Sequence, residues 1–402
     1  MLLRKHGCDQ LVLIVTEDCN LRCRYCVYSG QYQGYRQYSH AKMSFETAKA
    51  AIDYYYQLSQ RIYLPDKLVF VNFYGGEPLL RLNFIKRCIA YARSLEDENT
   101  PFSFGITTNG TLLTEELADY FIAQEVNLVF SLDGPKEEHD RNRVYPNGRG
   151  SFDQVMQALE MIRAKDPTFY REHVMTNTVY DADTDLLAVN DFFVERKDEF
   201  PPGGIVSPQR HDPGRREPDN SSRRIDQEIE LLRRYRHAKI GRAKHDTFFL
   251  ERLAIGVRLV ADRDYGRVDG LIDHFTGRCL PGTKIAVRPD GTFHICERIN
   301  ECFPIGDCKT GLNFERIRDT ITLYDNQVTQ HCHSCVAQRF CSVCFAQACT
   351  EDGFDATPIC GTLPELVKAQ LSYLCSILEE NPRAFDELRA RPHVVEVFSG
   401  CP

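Results

Sequence analysis

Cys19, Cys23 and Cys26 follow one another at spacings of three and two residues in the stretch TEDCNLRCRYCVYSG, and the next cysteine is Cys88. Thiolates so spaced are the usual ligands of a zinc or iron–sulfur site, yet a closed site needs a fourth ligand and none follows nearby. Three thiolates round a four-iron cluster leave one iron free to bind something else, as a catalytic metal site keeps a position open. Ten of the 17 cysteines lie between Cys279 and Cys360. The total is odd, and the start MLLRKHGCDQ lacks a secretory apolar core, so reduced thiols serving as soft metal ligands are expected rather than disulfides.

These thiols have to be held by a large fold. The chain has 402 residues, 43% of them hydrophobic, enough for one big domain and a smaller one. No apolar run is long enough to span a membrane, and a net charge of −8 argues against a nucleic-acid partner; a cytoplasmic enzyme is expected. Six buried strands are predicted, at Leu11–Val15, Leu68–Tyr74, Phe102–Ile106, Val126–Leu132, His173–Val179 and Gly204–Ser207. Helical patterns fall between them: about Phe45–Leu58, a helix after Thr114 with Glu115 and Glu116 in its first turn, and one opened by Ser151-Phe-Asp-Gln154 as a capping box. Alternation of this kind predicts an α/β fold with a parallel sheet, a partial six-stranded TIM-like barrel, whose chemistry belongs at the C-terminal strand ends. The first strand ends just before Cys19. Pro208–Lys244 is rich in Arg and acid and reads as a solvated loop and helix, or as a docking surface for a charged peptide. The expected division is 1–210 for the barrel, 211–276 for a charged helical bridge, 277–361 for the cysteine-rich module and 362–402 for a helical tail.

The triad with Tyr25 before its third cysteine resembles the signature of radical S-adenosylmethionine (SAM) enzymes. Tyr74-Gly-Gly-Glu77-Pro78 after the second strand, Thr107-Thr-Asn109-Gly110 after the third and Ser131-Leu-Asp133-Gly134-Pro135 after the fourth agree with it, over Leu11 to about Ser207. The resemblance implies that SAM chelates the open iron through its amino and carboxylate groups. It implies that Gly75 and Gly76 let the backbone approach the methionine moiety, that Glu77 accepts from the ammonium and that Tyr25 meets adenine. It places Thr108, Asn109 and Ser131 at ribose and carboxylate contacts, and Arg143 on the SAM carboxylate. Asp133-Gly134-Pro135 also reads as a plain turn.

The second cysteine group, Cys279 and Cys296 with Gly291 between them, then Cys332, Cys335, Cys341, Cys344 and Cys360, resembles the SPASM extension of such enzymes. That extension holds two auxiliary four-iron clusters, making three with the first. The resemblance assigns Cys332, Cys335, Cys341 and Cys360 to the distal cluster, and Cys279, Cys296 and Cys344 to the near one. The two-residue gap before Cys344 is one short of the usual pattern, and Cys349 is a nearby alternative. A further upstream ligand is missing, so either Cys302 or Cys308 closes the near cluster or its fourth iron stays open. Taken alone, the Cys332–Cys344 block would also suit zinc.

Members resembling this chain act on peptides or on side chains within proteins. The expected reaction is a thioether between a cysteine sulfur and a carbon of a ribosomally made precursor peptide. The alternative is oxidation of a sulfatase Cys or Ser to formylglycine, for which Glu297 stands where those enzymes keep an Asp base. A non-enzymatic electron-transfer or zinc protein is the reading of another class. The resemblance implies an external one-electron reductant of flavodoxin or ferredoxin type. No leader-binding domain is expected ahead of the first strand, so leader recognition is expected from a separate protein, the SPASM half or the Pro208–Lys244 stretch.

Overall fold

The computed structural model describes residues 8–30, 32, 37–61, 68–97, 100–201, 203–208, 221–241, 280–332, 334–338, 341, 343–361 and 363–385. All six predicted strands are present: β1 (Gln10–Thr16), β2 (Val69–Gly75), β3 (Phe102–Thr108), β4 (Asn127–Ser131), β5 (Val174–Tyr180) and β6 (Gly203–Pro208). They pair in sequence order and all in parallel. This is the partial TIM-like barrel that the pattern implies. Every residue of β1 is buried, as expected of a strand covered on both faces. On β2, Val71 and Phe73 are buried in the main core while Asn72 and Tyr74, one residue out of phase, are only half-buried. The period of two thus separates a face packed in the core from a polar inner face.

Helices fill the crossovers: α1 (Phe45–Gln60), α2 (Leu82–Arg93), α3 (Glu115–Ala123), α4 (Lys136–Asn142), α5 (Phe152–Lys165), α6 (Pro167–His173) and α7 (Leu186–Glu195). Thr114 caps α3 by accepting from Leu117 N at 3.3 Å, beside the two glutamates of its first turn. The capping box expected at Ser151 does not form. Ser151 makes no cap bond to its own helix; its hydroxyl faces His139 and the Arg143 carbonyl, and Asp140 Oδ1 takes the Phe152 N–H instead. A buried tertiary partner outcompeted the local one. Within Pro208–Lys244, α8 (Ser221–Lys239) is described, while 209–220 and 242–244 lie outside the described residues.

The sheet continues past the barrel. β7 (Lys284–Val287) pairs in parallel with β1, and β8 (Thr292–His294), β9 (Gly306–Asp307) and β10 (Gly311–Leu312) follow as an antiparallel meander, giving ten strands in the order β10-β9-β8-β7-β1-β2-β3-β4-β5-β6. The cysteine-rich module is therefore built onto the strand that delivers the first three cysteines. α9 (Phe314–Gln327) and α10 (Leu363–Glu380) complete it, and α10 packs on α8. No described helix is long and apolar enough to cross a membrane.

One buried ion-pair group fastens this joint. Arg288, just after β7, donates to Glu17 Oε1 at 2.9 Å and to Glu301 Oε1 at 2.5 Å, and Ser39 Oγ donates to the other oxygen of Glu17 at 2.6 Å. Arg288→Met strands the carboxylate of Glu17, which is 6% exposed. The expected loss is about 2 kcal/mol of stability, read as a lower urea midpoint at unchanged slope.

Candidate functional site

The cysteine loop leaves β1 and is stitched to its neighbours through the backbone. Gly76 N donates to Thr16 O and Glu77 N to Asp18 O, both at 2.9 Å, extending the β1–β2 ladder beyond the strands. On the other side Arg22 N donates to Val144 O at 2.7 Å and Arg24 N to Asn142 O at 3.0 Å. The expected reason for Gly75 and Gly76 was close approach to a methionine moiety. The structure adds a second one. A Cβ on Gly75, which has φ +141°, would sit 2.2 Å from Thr16 O, and a Cβ on Gly76 would sit 2.1 Å from Asp18 O. The glycines let β2 close on the cysteine loop.

Each of the three sulfurs faces hydrogen-bond donors. Cys19 Sγ accepts from Leu21 N at 3.4 Å and from Asn109 Nδ2 at 3.9 Å, and Cys26 Sγ accepts from Tyr28 N at 3.4 Å and from the Tyr38 hydroxyl. Cys23 lies near the Arg143 guanidinium, whose positive charge favours its thiolate. As free thiols all three are held protonated: burial raises Cys23 to about 12 and raises Cys19 and Cys26 too, and each lies near the other two or near cations. A half-buried trio of thiols supplied with donors and guanidinium groups fits a metal cluster, whose coordination would deprotonate the thiols outright.

Glu77 is 1% exposed and accepts three bonds, from Thr108 Oγ1 at 2.7 Å, Asn109 N at 2.8 Å and Leu79 N at 3.0 Å. Among the described residues no cation pairs with it. Burial therefore raises its pKa from 4.5 to about 7, against the effect of those donors. A buried carboxylate lacking a counter-charge beside the cysteine loop fits the ammonium of SAM. Ser131 ends β4 directly opposite Asn177 of β5, whose Oδ1 is buried without a partner among the described residues. Both fit the polar part of the same cofactor.

Four of the residues expected at the cofactor also have partners within the chain. Thr108 is committed to Glu77, and its Oγ1 also accepts from Gly110 N. Asn109 bonds Asn20 Oδ1 at 2.9 Å and accepts from Thr111, bracing the cysteine loop rather than reaching into open space. Tyr25 does not present an open face: its hydroxyl donates to Asp133 Oδ2 at 2.5 Å and the Arg143 guanidinium lies 5.3 Å from its ring centre. Arg143 sets its fork on Asp133, Nε to Oδ2 at 2.8 Å and Nη2 to Oδ1 at 3.0 Å. Asp133, read as a turn residue, is the centre of this group. The short polar side chain before Gly134-Pro135 gave no sign that its partner would be the arginine ten positions on.

In the second module Cys332, Cys335 and Cys341 lie near enough to Cys360 to raise its pKa, after burial, to about 11, although among the described residues no three Cys, His, Asp or Glu side chains are gathered tightly enough to hold a metal ion. Cys296 and Cys344 are buried neighbours, Cys349 lies beside Cys344, and Cys302 lies beside Cys349. Cys308 stands apart, its thiol on the Thr47 carbonyl at 3.7 Å. Cys279 lies outside the described residues. Glu297 is not paired simply with Arg298. It is buried against Lys284, with Nζ to Oε2 at 3.3 Å; burial opposes its ionisation, but Lys284 and backbone donors outweigh that and hold its pKa below 4.5. Tyr74 lies between the two halves, its hydroxyl among Glu297, Arg298, Tyr28 and Cys26. Lys284 and Tyr74 were missed because one reads as a strand edge and the other as strand core.

Residues 13–186 match the family model described as the Radical SAM superfamily. The chain is similar to a serine-type anaerobic sulfatase-maturating enzyme of Bacteroides thetaiotaomicron, 36% identical over 150 residues that cover 36% of this chain and 34% of that protein. It is also similar to the radical SAM cyclopropyl synthase TigE of Paramaledivibacter caminithermalis, 27% identical over 177 residues covering 43% and 35%. The chain spans roughly a third to a half of the length of the curated relatives it matches. Among solved structures, native anSMEcpe with bound AdoMet has the same fold, with a TM-score of 0.67 at 18% identity over 95% of this chain and 100% of that one. That likeness in fold extends over the cysteine-rich module as well.

Glu77→Gln tests the buried carboxylate in two ways. Loss of a charge-assisted bond is expected to weaken SAM binding by about 1.5–3 kcal/mol in calorimetric titration, at unchanged iron content. In the cofactor-free chain, Glu77 takes up its proton at higher pH folded than unfolded, from about 7 against 4.5. Its contribution is thus most favourable in acid and declines as pH rises through that window, by roughly 3 kcal/mol. Urea melts of the two proteins across the window should differ by that slope.

Proposed function

Starting from a radical SAM domain over residues 13–186, we propose that the chain is an oxidoreductase that joins a cysteine sulfur of a precursor peptide to a residue carbon as a thioether. Three four-iron clusters are proposed: one on Cys19, Cys23 and Cys26, a near auxiliary cluster on Cys279, Cys296 and Cys344, and a distal one on Cys332, Cys335, Cys341 and Cys360. When bound, the first cluster with SAM supplies hydrogen-atom abstraction, and the auxiliary clusters supply thiolate binding and an acceptor for the electron released. The chain's own part is to orient and to exclude water. Glu77 holds the SAM ammonium, Ser131 and Asn177 offer polar contacts beside it, and Tyr74 sets the boundary between cofactor and peptide.

The observation that carries the thioether reading is the Lys284–Glu297 pair. A carboxylate held ionised below its ordinary pKa by a buried lysine is a weak base. It is poorly matched to taking a proton from a Cys or Ser side chain unaided, whereas a metal-bound thiolate needs no base. Cys296 next to it and Cys344 nearby are the residues that would hold such a metal. The peptide class is supported by the like-folded anSMEcpe, described with bound AdoMet and Cp18Cys peptide. The formylglycine reading draws support from the similarity to the serine-type sulfatase-maturating enzyme and from a carboxylate directly after Cys296. Cys360 is exposed and Cys332 and Cys335 are half-buried, which suits delivery of electrons by an external flavodoxin- or ferredoxin-type protein, with a separate protein binding the leader.

The holoenzyme, given SAM, a reductant and a short cysteine-rich peptide encoded beside its gene, is expected to yield a product lighter by two hydrogens with one fewer alkylatable thiol. An aldehyde formed in a sulfatase-type peptide would favour the alternative. The triple substitution of Cys19, Cys23 and Cys26 by Ala should remove about a third of the iron, as one of three like clusters, and abolish deoxyadenosine production. Deoxyadenosine still formed by that variant would exclude the assignment of the first cluster.

A further inference from the structure

We propose that Asp133 and Arg143 are a positioning pair that sets the reduction potential of the cluster on Cys19, Cys23 and Cys26, an inference that rests on the radical SAM reading above. Both are nearly inaccessible, 2% and 6% exposed. The carboxylate of Asp133 has four acceptor positions and all are filled: Arg143 Nε and the Tyr25 hydroxyl on Oδ2, and Arg143 Nη2 and Val179 N on Oδ1, the last at 3.0 Å. It has no freedom to turn toward a ligand. Its work is done on Arg143.

Arg143 is fixed from its backbone as well. Asp133 N donates to His139 Nδ1 at 3.3 Å, His139 Nε2 meets Ser151 Oγ at 3.0 Å, and Ser151 Oγ donates to Arg143 O at 2.9 Å. With the Asp133–Arg143 fork this closes a ring of hydrogen bonds. Nδ1 accepts and Ser151 gives its proton to a carbonyl, so the ring requires a neutral histidine with its proton on Nε2. Burial keeps His139 in that form, its pKa lowered to about 4. A guanidinium so held stays beside the cysteine loop, 5.3 Å from the ring centre of Tyr25 between Cys23 and Cys26, where its positive charge favours both thiolates.

Hydrogen bonds to cluster sulfurs and nearby positive charge favour the reduced, more negative cluster and raise its potential. Asp133 opposes this by placing a negative charge behind the arginine. The two residues of one salt bridge therefore act on the potential in opposite directions. A purely mechanical clamp would not show that, since losing either half loosens the same loop.

The test is a redox titration of the reconstituted holoenzyme, following the electron paramagnetic resonance signal that changes when SAM is added. Asp133→Asn is expected to raise the midpoint and Arg143→Lys to lower it. Each shift should be about tenfold in the reduction equilibrium, or about 59 mV for one electron. Midpoints unchanged in both variants, or moved the same way, would overturn the proposal. If Asp133→Asn fails to take up iron, Arg143→Lys decides: a fall supports the proposal, and no change or a rise overturns it. A wild-type spectrum with no SAM-responsive signal would overturn the radical SAM reading and this inference with it.

Discussion

The parallel pairing of β1 with β2 does not end where the strands do. Two further backbone bonds, from Gly76 N to Thr16 O and from Glu77 N to Asp18 O, carry the ladder into the cysteine loop. They place Cys19 and Glu77 within reach of the same donor residue, Asn109, whose side chain touches the thiol and whose N–H serves the carboxylate. Any Cβ at Gly75 or Gly76 would force the two backbones apart by contact with a carbonyl oxygen that has nowhere to go. The spacing of the cysteines is thus only half of the site; the other half is a neighbouring strand able to approach within hydrogen-bonding distance.

Around that seam the chain tolerates an unusual density of buried charge, and the charges differ in how they are answered. Asp133 and Arg143 answer each other completely, as do Glu297 and Lys284 at the junction with the second module. Glu77 is answered by dipoles alone, which leaves its proton affinity raised. Desolvation penalises an ion in each case, and only a partner of opposite sign can offset it. The contrast between satisfied pairs and one unsatisfied carboxylate separates residues that shape the site from the one best suited to receive a cationic ligand.

The second module takes its place through β7, which pairs on the free side of β1. One strand consequently delivers the cysteine loop at its C-terminal end while carrying the barrel on one edge and the auxiliary module on the other. Arg288, bridging Glu17 and Glu301, ties the entry of that loop to the turn that bears Cys302. A shared strand is a short route for holding two sets of thiols at a constant separation, because a sheet resists shear far better than a hinge of loops does.

Much of this was written locally. The six apolar runs, the Thr114 cap and the cysteine spacings each depend on residues within one turn or one strand, so periodicity and residue type alone determined the parallel barrel and the two groups of thiols. What only the tertiary structure decided were the partners of residues that face more than one option. Ser151 left its own helix for His139, Arg143 turned to Asp133, Glu297 took Lys284 across the β7–β8 hairpin, and Gly76 made room for Asp18 O. Each of these contacts joins segments whose distance is set by strand pairing and burial. A linear chain carries no measure of that distance until the sheet has formed, and side-chain type shows only that a donor or acceptor exists, not which one it will meet.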